Sequence, residues 1–416
     1  MAETLKPRQS TIRILGRVLY EEKTVDKAIL EEKDFVNFTD SDKNFVRLLV
    51  LTILRRMGQI DGVLAKLLKR PLPKKQQTVL QILRLGVAQG LFLKTPAYAV
   101  VNTSVALTKK FHFDGLTGLV NAVLRAFFRM KNPLEKLENP VLNLPKWLCE
   151  SWEEAYGNEW TKKIAESVQN EPVLDISVPK NPELWAQKWG GTVLVTGGIR
   201  VPVSAPDMLE GFSKSGCWVQ NAAASVPVQL FTDIQGKKVA DLCAAPGGKT
   251  AQLVYRGAQV TAFDVSEKRA QRLKENIKRL GLNVCVRVAN ILELTEEEVF
   301  DAVLLDAPCS ATGTIARHPE IKYHRTREDV ERMAEIQKAL LLKAIQLVKK
   351  GGEIVFSTCS LESAEGDDII QSVLDLADVI KPIDIRWKDF VTSFGSLRIL
   401  PLNGFDGFYA CAIRKK

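Results

Sequence analysis

The stretch Asp241-Leu-Cys-Ala-Ala-Pro-Gly-Gly-Lys-Thr250 limits the possible folds of this chain more than any other. Val239 to Leu242 reads as a buried strand, and Thr250 to Val254 starts like a helix. A strand, a Gly-rich turn and a helix make the cofactor corner of a doubly wound α/β sheet. Gly247 and Gly248 let backbone N–H groups approach a ligand with no Cβ in the way. Asp264 closes the next apolar run, Val260-Thr-Ala-Phe263, where a carboxylate can take the hydroxyls of a ribose. A P-loop would need Gly at position 243, which is Cys, and the dinucleotide pattern Gly-x-Gly-x-x-Gly is absent. A nucleoside cofactor without a pyrophosphate remains, and S-adenosylmethionine is the candidate. An ordinary tight turn is the alternative.

From Lys237 onward strands and helices alternate, which implies parallel strands with crossover helices. Strands are expected at 238–243, 259–264, 284–288, 300–306 and 353–357, and helices at 249–256, 266–280 and 327–349. Phe408 to Ile413 is expected to close the sheet as an antiparallel edge strand. Residues 8–131 are helical in pattern instead. Phe45, Leu48, Leu49, Leu51 and Leu54 recur at helical spacing, helix starts are marked at Ser41-Asp42 and Asp114, and Pro71, Pro73 and Pro96 fall between helices. Six or seven short helices are expected there. The domains read as a helical bundle at 1–132, a linker at 133–145, a small α+β subdomain at 146–215 and the α/β domain at 216–416. In the subdomain, Trp147 to Trp160 is an aromatic helix suited to packing, and Ile176–Val178 and Thr192–Val195 look like short strands.

Charge divides the same way. Residues 1–140 hold 24 Lys and Arg against 13 Asp and Glu, a balance of +11, whereas the remaining residues hold 34 against 36. A basic module for a polyanion, joined to a near-neutral catalytic domain, fits this asymmetry; a merely solvated basic surface is the alternative. Seven Cys without paired spacing suggest neither a disulfide framework nor a zinc site. The start of the chain does not read as a secretory signal and no apolar run reaches membrane-span length, so a cytoplasmic protein without membrane partners is expected.

Two cysteines stand at strand ends. Cys309 follows Val303-Leu-Leu-Asp-Ala-Pro308, and Cys359 follows Glu353-Ile-Val-Phe-Ser-Thr358. Ligands of open α/β sheets bind outside the carboxyl ends of the strands, so both thiols should reach the crevice. The other cysteines read as small buried hydrophobes, Cys243 as a lining residue of the turn. A methyl donor beside two thiols suits a poor carbon nucleophile such as pyrimidine C5. A thiolate that adds at C6 makes C5 reactive, and the second thiol can assist the end of the sequence. Asp306 is placed to hydrogen-bond the base and stabilise the adduct.

These residues carry a resemblance. Asp241–Thr250, Asp306-Ala-Pro-Cys-Ser-Ala-Thr-Gly313, Arg317-His-Pro319 with Ile321-Lys322, Ser357-Thr-Cys-Ser360, Arg398-Ile-Leu-Pro401 and Asp406-Gly-Phe408 are similar to the RNA cytosine-C5 methyltransferases of the Sun/RsmB/Fmu type. Leu83-Arg-Leu-Gly86, Val101-Asn102 and Leu119-Val-Asn-Ala-Val-Leu-Arg125 resemble the NusB-like RNA-binding domain. The resemblance implies an all-α NusB-like bundle joined to a Rossmann-like class I methyltransferase domain, with the small α+β insert before it. It implies a monomer acting on 16S ribosomal RNA or an assembling small subunit. It implies that Cys243, Ala244, Ala245, Pro246, Gly247, Gly248 and Lys249 line the S-adenosylmethionine pocket, that Asp264 binds its ribose and that Asn290 lies by its adenine. Asp306 would lie between cofactor and base, Cys359 would be the nucleophile, and Cys309 would assist release. Asn290 and Asn221 stand where the family commonly has Asp, a loss of charge that bears on cofactor affinity. Arg317 and His318 would either order their loop or contact RNA phosphate. A DNA cytosine methyltransferase would use the Pro-Cys thiol as nucleophile, an amino-group methyltransferase would carry Asn/Asp-Pro-Pro-aromatic after the fourth strand, and a non-enzymatic RNA-binding factor would leave the turn and both thiols without a use.

Overall fold

The computed structural model describes residues 2–203 and 205–416. It divides into two compact units, one of residues 1–170 with Ile315–His324 and one of Glu171–Thr314 with Arg325–Lys416.

The first unit is helical. α1 (Ala2–Tyr20), α2 (Val25–Leu30), α3 (Asp40–Leu67), α4 (Gln77–Leu91), α5 (Ala97–Lys110) and α6 (Thr117–Arg129) share one apolar core. α3 is a single helix of 28 residues rather than short pieces, because the apolar period of Leu49, Ile53 and Leu54 continues through Ile60 and Leu64. Its cap is Thr39, whose hydroxyl accepts from the Asp42 backbone N–H at 3.2 Å, two residues before the expected start. Asp114 opens a 3-10 turn ahead of α6. The close approach of α4 and α6 requires Gly86, where a Cβ would meet Leu124 at 2.6 Å. α7 (Lys146–Ser167) also belongs to this unit and buries Trp152 completely. The division at 170/171 therefore falls inside the stretch that the sequence groups as one subdomain.

The second unit holds two sheets. β1 (Leu174–Ser177), β2 (Thr192–Val193), β3 (Ile199–Val201) and β4 (Trp218–Val219), with α8 (Pro182–Trp189), form a small antiparallel sheet of order β2-β3-β1-β4. Trp218 thus belongs to this sheet, past the expected boundary at 215. Then come β5 (Lys238–Leu242), α9 (Gly248–Tyr255), β6 (Gln259–Asp264), α10 (Glu267–Arg279), β7 (Cys285–Val288) and β8 (Phe300–Asp306), and, after the one-turn α11 (Ile321–His324) that belongs to the helical unit, α12 (Arg327–Leu347), β9 (Val348–Thr358), α13 (Asp367–Gln371), β10 (Ala377–Ile380), β11 (Leu397–Ile399) and β12 (Phe408–Lys415). Their sheet runs β10-β12-β9-β8-β5-β6-β7, parallel from β9 to β7. Its middle is buried on both faces, as parallel sheets are. Val303 and Leu305 pack on one side with Leu341, while Ala302 and Leu304 pack on the other with Leu253. β12 is antiparallel but is not the edge: it pairs with β9 on one side and with β10 and β11 on the other. Its apolar text, Phe408 to Ile413, suits an interior strand, and the short β10 and β11 carry too little pattern to be read beforehand.

Ile315–His324 packs inside the helical unit although its neighbours in sequence belong to the sheet unit. Lys322 is 3% exposed and donates to the backbone carbonyls of Arg55 (3.1 Å) and Asn143 (2.7 Å). The Tyr323 hydroxyl donates to Leu54 O at 2.7 Å, and the Val25 N–H donates to Glu320 at 3.1 Å. Arg55 in turn donates to Ala316 O at 2.8 Å. No helix among the described residues is long and apolar enough to cross a membrane.

Candidate active site

The turn after β5 is built for close backbone approach. Cys243 has φ +61° and Gly247 has φ +104°, both in the left-handed region. A Cβ on Gly247 would lie 2.4 Å from Leu273, so only glycine fits. Asp241 is fully buried at the end of β5 and accepts from the Thr250 hydroxyl at 2.6 Å. Its second oxygen has no partner, and burial first of all pushes its carboxyl up to about 7. Burial also pushes the Cys243 thiol up to about 12, which does not suit a nucleophile.

A cleft of about 490 Å³ opens over this turn, a size that suits a small ligand. Asp241, Ala244 to Lys249, Asp306, Gln220 and Asn221 line it, but Cys243, expected there, does not: its side chain packs against the core that holds Leu242 and Leu305. Asp264 does not line this cleft. It is buried at the end of β6, accepts from the N–H groups of Ser266 (3.0 Å) and Ala245 (3.3 Å), and pairs with Arg269 at 3.2 Å. Asn290 does not line it either. Its carbonyl oxygen accepts from Leu292 N–H at 3.2 Å, capping a 3-10 turn. Asn221 accepts from the N–H groups of Ala223 (2.9 Å) and Asp406 (3.1 Å), and its amide lies 3.4 Å from an oxygen of buried Asp175. A carboxylate there would face Asp175, so the uncharged residue suits its neighbours.

At the end of β8, Asp306 pairs with Lys249 at 2.9 Å and accepts from the Ser357 hydroxyl at 2.9 Å. β8 and β9 are parallel neighbours with Asp306 opposite Ser357. Their following residues therefore emerge side by side, and the Sγ atoms of Cys309 and Cys359 are 3.3 Å apart. The hydrogen bond with Cys359, followed by burial, holds the Cys309 thiol well above the ordinary thiol range. Gly313 lets the two loops touch: its N–H donates to Cys359 O at 3.0 Å, and a Cβ would stand 2.3 Å from Gly407 O. The structure thus brings together Cys309, Cys359, Asp306 and Lys249. Arg317 and His318 lie on the segment that packs in the helical unit. Sequence reasoning missed Glu365, because a Glu on a turn reads as solvent-facing, and gave Ser357 no role beyond its place in the motif; the sole signal for either was proximity to Cys359.

A family model of 16S rRNA methyltransferase RsmB/F matches residues 229–414, and one of the NusB family matches residues 5–129. The chain is 31% identical over 434 residues to ribosomal RNA small subunit methyltransferase B of Photorhabdus laumondii, covering 100% of both chains. This chain belongs to the RsmB/F family of 16S rRNA methyltransferases. The Klebsiella pneumoniae protein of the same name is 33% identical over 357 residues, covering 81% of this chain and 82% of that one. Among solved structures, PH0851 superposes with a TM-score of 0.76 at 25% identity, covering 97% of this chain and 98% of that one. A methyltransferase homologue from Pyrococcus horikoshii gives 0.56 at 28%, covering 68% and 99%. The RsmB/F assignment makes S-adenosylmethionine the methyl donor, and the glycine turn, the unpartnered Asp241 oxygen and the cleft fit such a ligand.

Proposed function

We propose that this RsmB/F enzyme methylates C5 of a cytosine in 16S ribosomal RNA through a covalent bond between Cys359 and C6 of the base. The observation that carries this reading is the pair of thiols 3.3 Å apart beyond two neighbouring parallel strands, beside Asp306. Ordinary oxygen and nitrogen acceptors need no such pair. Cys359 Sγ adds to C6, and C5 gains the electron density to take a methyl group. S-adenosylmethionine, when bound, supplies that methyl group in electrophilic form. Ala244 to Lys249 hold the donor, and Asp264 steadies that turn by accepting from the Ala245 N–H. Asp306, fixed by Lys249 and Ser357, meets the edge of the base and stabilises the adduct. The C5 proton passes to solvent water, its electron pair forms the C5–C6 double bond, and the S–C6 bond breaks with the sulfur leaving as thiolate, which releases the product. Cys309, held protonated, hydrogen-bonds the departing Cys359 sulfur. The protein works as a monomer in the cytoplasm, on RNA or on an assembling small subunit. The basic residues Lys69, Arg70, Lys74 and Lys75, exposed on the helical unit, supply phosphate contacts that weaken with salt.

Methyl transfer to undermodified 16S RNA, followed by nucleoside analysis, tests the product: 5-methylcytosine is expected, and a methylated base of any other kind overturns the reading. Asp264→Ala removes the acceptor of the Ala245 N–H and should, by loosening the turn, weaken S-adenosylmethionine binding by about 1–3 kcal/mol, the scale of lost charged hydrogen bonds. An unchanged dissociation constant in calorimetry removes Asp264 from the site.

A further inference from the structure

The two cysteines are each followed by serine, and both serines meet one carboxylate. Glu365 is fully buried. Its Oε1 accepts from the Ser310 N–H at 2.7 Å and from the Gln337 amide at 2.9 Å. Its Oε2 accepts from the Ser360 hydroxyl at 2.5 Å and from the Ser310 hydroxyl. The two serine oxygens are 3.1 Å apart. Thr358, just before Cys359, donates its hydroxyl to Glu365 O at 3.0 Å. Among the described residues no ion pair joins Glu365 to a basic side chain. A buried carboxylate carries a desolvation cost, and here hydrogen bonds alone offset it. All but one of those bonds come from residues flanking the reactive thiols. An apolar residue of similar size would fill the space without that cost, so the carboxylate's use is the bridge it makes.

We propose that Glu365 is the positioning residue of the thiol pair: by accepting from Ser310 and Ser360 together, it fixes the loops after β8 and β9 so that the Cys309 and Cys359 sulfurs face each other. Glu365 touches neither thiol and takes no proton in the reaction. Its role rests on the two-thiol reading of the function, but its geometry can be read without that chemistry.

Glu365→Gln keeps the shape and replaces one acceptor oxygen by a donor, setting donor against donor at Ser310 or Ser360. In the full-length protein its affinity for S-adenosylmethionine should equal the wild-type value, because the glycine turn is untouched. Its KM for RNA should change less than about twofold and its kcat should fall on the order of 10²-fold, the scale of a small misplacement of reacting groups. Glu365→Asp should restore part of kcat. The second readout is the Cys309–Cys359 disulfide formed with diamide, an azo oxidant that takes up two electrons and two protons as the two thiols join. That rate, followed by mass spectrometry, reports thiol spacing whatever reaction the enzyme performs. It should be fast in the wild type and at least tenfold slower in Glu365→Gln. Unchanged kcat together with an unchanged disulfide rate overturns the proposal. If Glu365→Gln loses cofactor binding through misfolding, the double variant Ser310→Ala/Ser360→Ala decides: a slower disulfide supports the bridge, and a wild-type rate overturns it. Failure of the cytosine reading would show in wild-type product analysis and leave the disulfide comparison intact.

Discussion

The loops after β8 and β9 begin alike and end differently. Both leave parallel neighbours, both place a half-buried Cys before a buried Ser, and both serines end on Glu365. After Ser360 the chain stays in the sheet unit through Glu365 and α13. After Gly313 it leaves, and Ile315–His324 packs among the helices before α12 returns it. Cys309 is held well above the ordinary thiol range, first by its hydrogen bond with Cys359 and then by burial. Near-symmetric backbones thus set two thiols face to face, and the proposed mechanism gives them different work. Only a thiolate attacks, so a thiol held protonated fits the proposed role of Cys309 as the partner of the proposed nucleophile.

Breaking that asymmetry gives the largest expected effect. Cys359→Ala should lower methylation by on the order of 10³-fold or more, as removal of a nucleophile does, and should form no covalent RNA adduct. Cys309→Ala should also turn over poorly, yet accumulate a protein–RNA species that survives denaturing electrophoresis. The gel band separates the two. A stable adduct in Cys359→Ala and none in Cys309→Ala would exchange the roles.

Thiol reactivity sharpens the same comparison. Iodoacetamide reacts with thiolates, so alkylation of Cys309 should keep rising about tenfold per pH unit well past pH 9. Cys359→Ala removes the first cause of the raised value, and the rise should then level off at a lower pH. Cys309 that alkylates at pH 7.5 as fast as a free cysteine would contradict its assignment as the protonated partner.

How much of this was legible depended on whether a residue's type matched its surroundings. The cofactor turn was legible because the backbone itself demands glycine at 247. β8 was legible because Val303, Leu304 and Leu305 are apolar on both faces. The cysteine loops were legible because each follows such a strand. β4 was not, since two residues carry no period, and β10 and β11 left β12 looking like an edge. Least legible were the buried charges. Glu365, Glu320 and Lys322 are all 3% exposed or less, yet pattern reasoning assigns charged residues to solvent. The route of Ile315–His324 into the helical unit is written in such residues, so nothing local announced it.

A smaller effect tests the symmetric half of the comparison. Ser310 gives Glu365 both its N–H and its hydroxyl, whereas Ser360 gives its hydroxyl alone. Each Ser→Ala change deletes one hydroxyl donor to a buried carboxylate and should cost about 1.5–3 kcal/mol in urea unfolding, the scale for hydrogen bonds to charged groups. The double variant should cost less than the sum of the singles, because the two hydroxyls share one oxygen and each other. Strict additivity would mean that the loops are held independently.

The smallest effect concerns the segment that only the first loop sends away. Lys322 is buried and burial lowers its ammonium to about 7. A neutral amine has two N–H donors, and two carbonyls, those of Arg55 and Asn143, receive them. An unfolded lysine titrates near ~10.4. Between about 7 and that value the unfolded chain carries the extra proton, so folding releases it and stability rises with pH. The slope approaches about 1.4 kcal/mol per pH unit in mid-window. Buried thiols such as Cys243 and Cys411, pushed up to about 12, act in the opposite sense once free thiols ionise, near ~8.5. The buried Asp241 carboxyl, raised to about 7, also acts in the opposite sense at the low end, so the clean window is about pH 8 to 8.5. Urea midpoints across it should rise for the wild type and flatten in Lys322→Met. Equal slopes in the two proteins would mean that Lys322 stays charged in the folded helical unit, and that the segment is held by its other contacts.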